Sequence, residues 1–187
     1  MTHAIEAFLV PSFNPLCDGM ALEALKLVSR FLPVAYNEPN DISARAGMLV
    51  GSSLAGVSFL KGLGLVHSIS HMIGAEYNTH HGLTNAIVLP VVLRFNLEGK
   101  DCQAATIAKN MHLEELSVAK LISEIEKLMS TIDIPDKLGE IGVPLDCAHR
   151  IAKKAMVDSA TSTNPKEVSL MQMEDLVKTS IIGKRTT

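Results

Sequence analysis

The histidines are the residues of this sequence whose side chains and spacing best suit a chemical role such as metal binding. Four of the seven fall in two tight groups, His67 with His71 and then His80 with His81. Because His67 and His71 are four residues apart, a helix would carry both imidazoles on one face, about one turn apart. A helix that offers imidazoles and a loop that returns another can enclose a divalent cation. The spacing alone also fits ordinary, partly buried histidines, so both interpretations stay open at this point.

A hydrolytic metal site is disfavoured by the residues around these histidines. In the helical zinc-protease motif a Glu follows the first His and acts as general base. Ser68 occupies that position here. A hydrolase would need another acidic base close by, and the nearest candidate, Glu76, is not at a recognised spacing.

The elements that must position the histidines are predicted to be helices. Aromatic residues make up only 4% of the chain, Trp is absent, and no segment alternates with a period of two, so the predicted fold class is all-α. Pro33 is predicted to end the first helix and Pro90 to kink the fourth, with an irregular functional loop over Gly74–Gly82. The predicted helices are Leu16–Ala35, a second from the N-cap Asp41 to about Leu60, Leu65–Ile73, Leu83–Asn96, Cys102–Asn110, Leu113–Ile132, Leu145–Asp158, and a last one that begins at the capping box Ser169–Gln172 and ends at Gly183.

Composition narrows the class of protein further. A net charge of −3 provides no basic stripe for nucleic acid. No apolar run approaches the roughly 18 residues that a membrane span requires, and the N-terminus lacks a basic leader. The three cysteines, Cys17, Cys102 and Cys147, form no CxxC pair. We therefore expect a cytoplasmic protein with free thiols that binds neither nucleic acid nor a membrane.

The sequence around the histidines closely resembles the signature of the iron-containing (group III) alcohol dehydrogenases. The matching segments are Gly62–His71, Gly74, Tyr77–Asn78, His81–Gly82 and Asn85–Pro90, with further similarity in Thr2–Glu6, Asn14–Asp18 and Asn164–Lys166. The resemblance implies that residues 1–187 form the C-terminal, dehydroquinate synthase-like helical bundle that binds the metal. It also implies that the N-terminal nucleotide-binding domain is absent from this chain.

The resemblance assigns a role to each matching histidine. The family holds its metal with one Asp and three His, and His3, His67 and His81 match the three histidines. His71 matches a histidine beside the nicotinamide and the substrate, which makes it the expected catalytic and cofactor-binding residue. The matching Asp would precede His3 by four positions, ahead of Met1. Where many relatives have Pro, this chain has His80.

The implied activity is the NAD(P)-dependent interconversion of a small alcohol with its aldehyde or ketone. The implied metal is Fe²⁺, although three imidazoles without a carboxylate would favour Zn²⁺, Ni²⁺ or Cu²⁺. We expect the chain to be inactive alone, because NAD(P) binding belongs to the full-length family. We also expect it to form a homo-oligomer or to pair with a nucleotide-binding domain. The alternative is a truncated, non-catalytic helical domain that binds metal or a partner.

Overall fold

The computed structural model describes residues 1–183 as a bundle of α-helices. No strand occurs within this described range, so the predicted all-α class is confirmed. Short 3₁₀ turns connect several helices, and one of them, Ser159–Thr163, returns to the histidine region. The α-helices are α1 (Thr2–Leu9), α2 (Pro15–Asn37), α3 (Ile42–Ser58), α4 (Leu65–Tyr77), α5 (His81–Asn96), α6 (Asp101–Asn110), α7 (Val118–Thr131), α8 (Ala148–Ala155) and α9 (Leu170–Ile182).

Helices α2 and α3 form a closely packed hairpin. The Asp41 side chain accepts a hydrogen bond from the Ala44 amide at 2.9 Å, which confirms it as the N-cap of α3. A Cβ atom at Gly47 would lie 2.2 Å from the Phe31 ring, so the small residue there permits the close approach of the two helices. Pro33 lies inside α2. The prediction that Pro33 ends this helix is therefore wrong.

The connection between α4 and α5 is shorter than the sequence predicts. Helix α4 continues past Gly74 to Tyr77, and Asn78 ends it in the left-handed conformation with φ 50°. Helix α5 begins at His81, and His80 is its N-cap. The predicted irregular loop over Gly74–Gly82 is therefore wrong, because residues 78–80 alone connect the helices. The tight connection brings the first residue of α5 next to the inner face of α4.

The C-terminal third contains shorter helices than predicted. Helix α7 begins at Val118, five residues later than Leu113, and a 3₁₀ turn over Leu145–Cys147 precedes α8. The capping box of Ser169 and Gln172 at the start of α9 is present as predicted. Gly183 follows α9 with φ 86°, a conformation that favours glycine.

Helix α4 lies at the centre of the bundle. Its residues Leu65, Val66, Ile69 and Ile73 are fully buried. It packs against α5 and α8, while α1 packs against α2 and α3. His67 lies on this buried face, and close packing holds its ring in a fixed position.

One described segment satisfies the length and composition of a membrane-spanning helix. It covers Ile42–Lys61, with a mean hydropathy of 1.2. A single segment of this kind is weak evidence for a membrane span, because core helices of other proteins satisfy the same test. In this fold the segment packs lengthwise against α2.

Candidate metal centre

Three histidines from three different helices converge on one point. His3 comes from α1, His67 from the buried face of α4, and His81 from the first turn of α5. Each offers one ring nitrogen, and the three nitrogens lie within 4.8 Å of one another. The ring centroids of His3 and His81 lie 4.7 and 5.3 Å from that of His67. One divalent cation accepts imidazole nitrogens in this kind of arrangement, with a bond of about 2.0–2.1 Å for zinc.

Glu6 is a buried carboxylate that contacts this cluster directly. Its side chain is only 3% exposed, and its Oε2 lies 2.5 Å from Nδ1 of His67. Its Oε1 accepts a hydrogen bond from the Val66 amide at 2.8 Å, in the first turn of α4. Glu6 had no role predicted from the sequence. The available signal was that Glu6 is the one charged side chain between Thr2 and Val10.

Asn85 closes the cluster on the α5 side. Its Nδ2 lies 3.2 Å from Nε2 of His67 and 3.0 Å from Nε2 of His81. Its Oδ1 is the one buried side-chain oxygen or nitrogen among the described residues without a hydrogen-bond partner. Such an atom is costly unless a further group satisfies it. The donor set and this unsatisfied oxygen therefore fit a divalent cation, or a water molecule that accompanies one.

The protonation of the imidazoles also suits metal binding. Burial, followed by the neighbouring charges of His67 and the N-terminus, lowers the pKa of His3 to about 4. Burial is also the main cause that lowers the pKa of His81, followed by His67 and His71. Because neutral imidazole is the form that binds a cation, these two rings are ready ligands at neutral pH.

His71 lies at the rim of the cluster instead of inside it. Its ring stacks on that of His81, with 5.6 Å between the centroids. Its Nδ1 lies 3.1 Å from Oδ2 of Asp158, and its side chain is 39% exposed. Asp158 is held in turn, because its Oδ1 accepts from the Ala160 amide at 2.9 Å. The accessible nitrogen of His71 is therefore Nε2, and sequence reasoning missed Asp158 as its partner.

The start of α4 is fixed by Asn164. Its Oδ1 accepts hydrogen bonds from the Leu65 amide at 3.2 Å and from Asn96 at 2.9 Å. A Cβ atom at Gly64 would lie 2.7 Å from the same oxygen and 2.9 Å from Oε1 of Glu6. Glycine is therefore required at position 64, because the side chains of Asn164 and Glu6 both contact the start of α4 there. The segment around Asn164 thus serves to position α4.

His80 and Glu76, the two other residues discussed from the sequence, lie outside the histidine cluster. The His80 side chain accepts a hydrogen bond from the Leu83 amide at 3.3 Å and so caps α5. Glu76 binds Lys154 at 2.5 Å and Arg150 at 3.0 Å. The hydrogen bond from Lys154, with that from Arg150, lowers the pKa of Glu76. A carboxylate engaged by two cations is a poor general base, which removes the basis for a hydrolase.

The fold and the cluster together define an all-helical domain built around converging histidines. Comparison with known proteins identifies its family. The family described as "Fe-containing alcohol dehydrogenase family, C-terminal" matches residues 1–181. The chain belongs to this family and corresponds to the C-terminal half of its members.

Relatives and solved structures agree with this assignment. The NAD-dependent methanol dehydrogenase of Bacillus methanolicus is 35% identical, over 97% of this chain and 49% of that protein. The 4-hydroxybutyrate dehydrogenase of Cupriavidus necator is 34% identical, over 97% of this chain and 49% of its own length. A crystal structure of 1,3-propanediol oxidoreductase superposes with a TM-score of 0.91 and 32% identity, covering 96% of this chain and 49% of that one. The chain thus spans about half the length of the relatives that it matches.

Proposed function

We propose that this chain is the metal-binding half of an NAD(P)-dependent alcohol dehydrogenase that converts a small alcohol to its aldehyde or ketone. The observation that carries the proposal is the convergence of His3, His67 and His81 within 4.8 Å. The names of the relatives support the substrate class and the cofactor, since they include an NAD-dependent methanol dehydrogenase and a butanol dehydrogenase that uses NADPH.

In this proposal the three histidines hold one divalent cation. The family name favours iron, while imidazole ligands by themselves favour Zn²⁺ or Ni²⁺ over Fe²⁺. A cation bound there supplies Lewis acidity, which polarises the oxygen of an alcohol or a carbonyl compound. The protein's own contribution is to fix the three rings on separate, packed helices, so that little reorganisation accompanies binding.

His71 is the proposed catalytic residue and the proposed contact to the cofactor. Asp158 holds its ring through Nδ1 at 3.1 Å, which leaves Nε2 as the nitrogen that can exchange a proton. A histidine held in this way can accept or release a proton at Nε2 while hydride moves between substrate and nicotinamide. Its partial exposure fits exchange of that proton with water.

We further propose that the chain works with a nucleotide-binding domain, and that by itself it self-associates. Hydride transfer requires the nicotinamide at near-attack distance, and positioning of this kind can contribute about 7–11 kcal/mol. Helix α3 and the turn after it expose Ile42, Leu49, Val50 and Leu60, which are between 53% and 81% accessible. Apolar residues clustered in this way favour association. Because Cys17, Cys102 and Cys147 are free thiols, we propose a reducing compartment such as the cytoplasm.

Two measurements on the purified 187-residue chain test this part of the proposal. We expect no NADH formation at 340 nm with short-chain alcohols and NAD⁺ in the presence of Zn²⁺ or Fe²⁺. We also expect light scattering to give a mass above that of a monomer. Robust NADH production by a strict monomer would contradict both expectations.

A further inference from the structure

We propose that Glu6 is the positioning residue that makes His67 a metal ligand. Glu6 would hold the ring proton of His67 on Nδ1 and would supply negative charge that the imidazoles lack. This inference rests on the proposed metal site and adds to it a residue that acts through His67.

The first step is the protonation pattern of the ring. A neutral imidazole carries one proton, so a histidine that binds metal through Nε2 must carry its proton on Nδ1. The Oε2 atom of Glu6 lies 2.5 Å from Nδ1 of His67. An ionised carboxylate accepts, so Nδ1 is the donor, and the amide Nδ2 of Asn85, itself a donor, faces a lone pair on Nε2. That Nε2 atom lies 3.2 Å from Nδ2 of Asn85, the same amide nitrogen that contacts His81.

The second step is charge. A divalent cation among three neutral imidazoles would bring two uncompensated charges into a protein interior, which is unfavourable. His67 and Glu6 are 1% and 3% exposed, so water compensates little of that charge on their side of the cluster, although His81 is exposed. A carboxylate hydrogen-bonded to a ligating histidine increases the basicity of the ligand and places a negative charge one ring away from the cation.

The third step is that Glu6 itself is held in place. Its Oε1 accepts from the Val66 amide, at the N-terminal end of α4, where the helix dipole favours an anion. The absence of a side chain at Gly64 allows the helix to close on this oxygen, since a Cβ atom there would lie 2.9 Å from it. Both oxygens of Glu6 are therefore engaged, and the carboxylate cannot turn away from His67.

The experiment compares Glu6→Gln with the wild-type chain. The new side chain keeps an amide oxygen that can accept from Val66, but its NH₂ group would donate to Nδ1 of His67. The ring proton would then move to Nε2 and block the metal. We expect zinc affinity, measured by competition with a chelator, to fall about 10–100-fold.

Glu76→Gln is the matched control. It removes the same charge from the far end of α4, where Glu76 contacts Lys154 and Arg150 and not the histidine cluster. We expect its zinc affinity to stay within about threefold of the wild-type value, as for a surface charge that salt screens. Circular dichroism checks that both variants remain folded.

A second readout can be made on the wild-type chain alone, and Glu6→Gln adds a comparison. Nitrogen-15 NMR of the chelator-treated wild-type chain should show His67 protonated on Nδ1, and in Glu6→Gln the proton should be on Nε2. Wild-type zinc affinity in Glu6→Gln, or a wild-type His67 protonated on Nε2, would overturn this inference. A wild-type chain that binds no zinc would instead overturn the proposed metal site.

Discussion

Helix α4 carries the histidines of two carboxylate–histidine pairs, one turn apart. The two pairs differ in their exposure to solvent. His67 and Glu6 are 1% and 3% exposed, whereas His71 and Asp158 are 39% and 11% exposed. The chemical groups are the same in both pairs, and each bond involves Nδ1 of the histidine. Burial is what differs, and we propose that this difference gives the two histidines different roles.

The buried pair is suited to a fixed role and the exposed pair to a changing one. A buried ion pair or hydrogen bond is costly to break, because the remaining partner cannot find water. An exposed pair exchanges partners with solvent at little cost. The buried pair of His67 and Glu6, the inner pair, therefore fits a permanent metal ligand. The exposed pair of His71 and Asp158, the outer pair, fits a group that gains and loses a proton.

The largest effect on stability is expected from Glu6→Leu. The substitution leaves the Val66 amide and Nδ1 of His67 without acceptors in a buried position. We expect the free energy of unfolding, measured by urea denaturation in the presence of a chelator, to fall by about 3–5 kcal/mol.

The outer pair provides the control. Asp158→Asn leaves a side chain that can still accept hydrogen bonds, and His71 can turn to water. We expect a loss of about 1 kcal/mol or less. Equal losses in the two variants would mean that burial does not distinguish the pairs.

A pH-dependent effect is expected from His3, which stacks on His67 at the inner pair. Burial first, and then the charge of His67, lowers the pKa of His3 from 6.5 to about 4. Between these values the unfolded chain binds a proton at His3 that the folded chain does not, so the contribution of His3 to stability falls as pH decreases from about 6.5 to 4 and then levels off. This fall should be one component of the pH dependence of the urea midpoint of the metal-free chain.

His3→Gln isolates the contribution of this residue, because the other titrating groups are unchanged. We expect the difference in urea midpoint between pH 7 and pH 4 to be smaller in the variant than in the wild-type chain. An identical pH dependence in both would show that His3 is not buried as the structure describes.

The inner and outer pairs also show which features of the site could be predicted from the sequence. The all-α class followed from helical spacing and the scarcity of strand-forming residues. Resemblance to the family singled out His3, His67 and His81, whose ring nitrogens lie within 4.8 Å of one another in the structure. The two carboxylates were missed because Glu6 and Asp158 lie 61 and 87 residues from their histidines. Local spacing cannot reveal such contacts, which depend on how the helices pack.

The loop over Gly74–Gly82 was predicted wrongly for a local reason. Glycine often follows the end of a helix, so Gly74 indicated a helix end. A Cβ atom there would meet nothing closer than 3.9 Å, and the helix continues through it. The helix ends instead at Asn78, one of the few residue types that adopt the left-handed conformation readily. Both signals were present in the sequence, and the Asn78 signal is the one that the structure follows.

The most direct test of the central claim is the position of the metal itself. Crystals of the chain soaked in Zn²⁺ and measured at the zinc absorption edge should show one anomalous peak, about 2.0–2.1 Å from a ring nitrogen of each of His3, His67 and His81. In crystals of His67→Ala that peak should disappear. A zinc peak elsewhere, with none among the three histidines, would contradict the account.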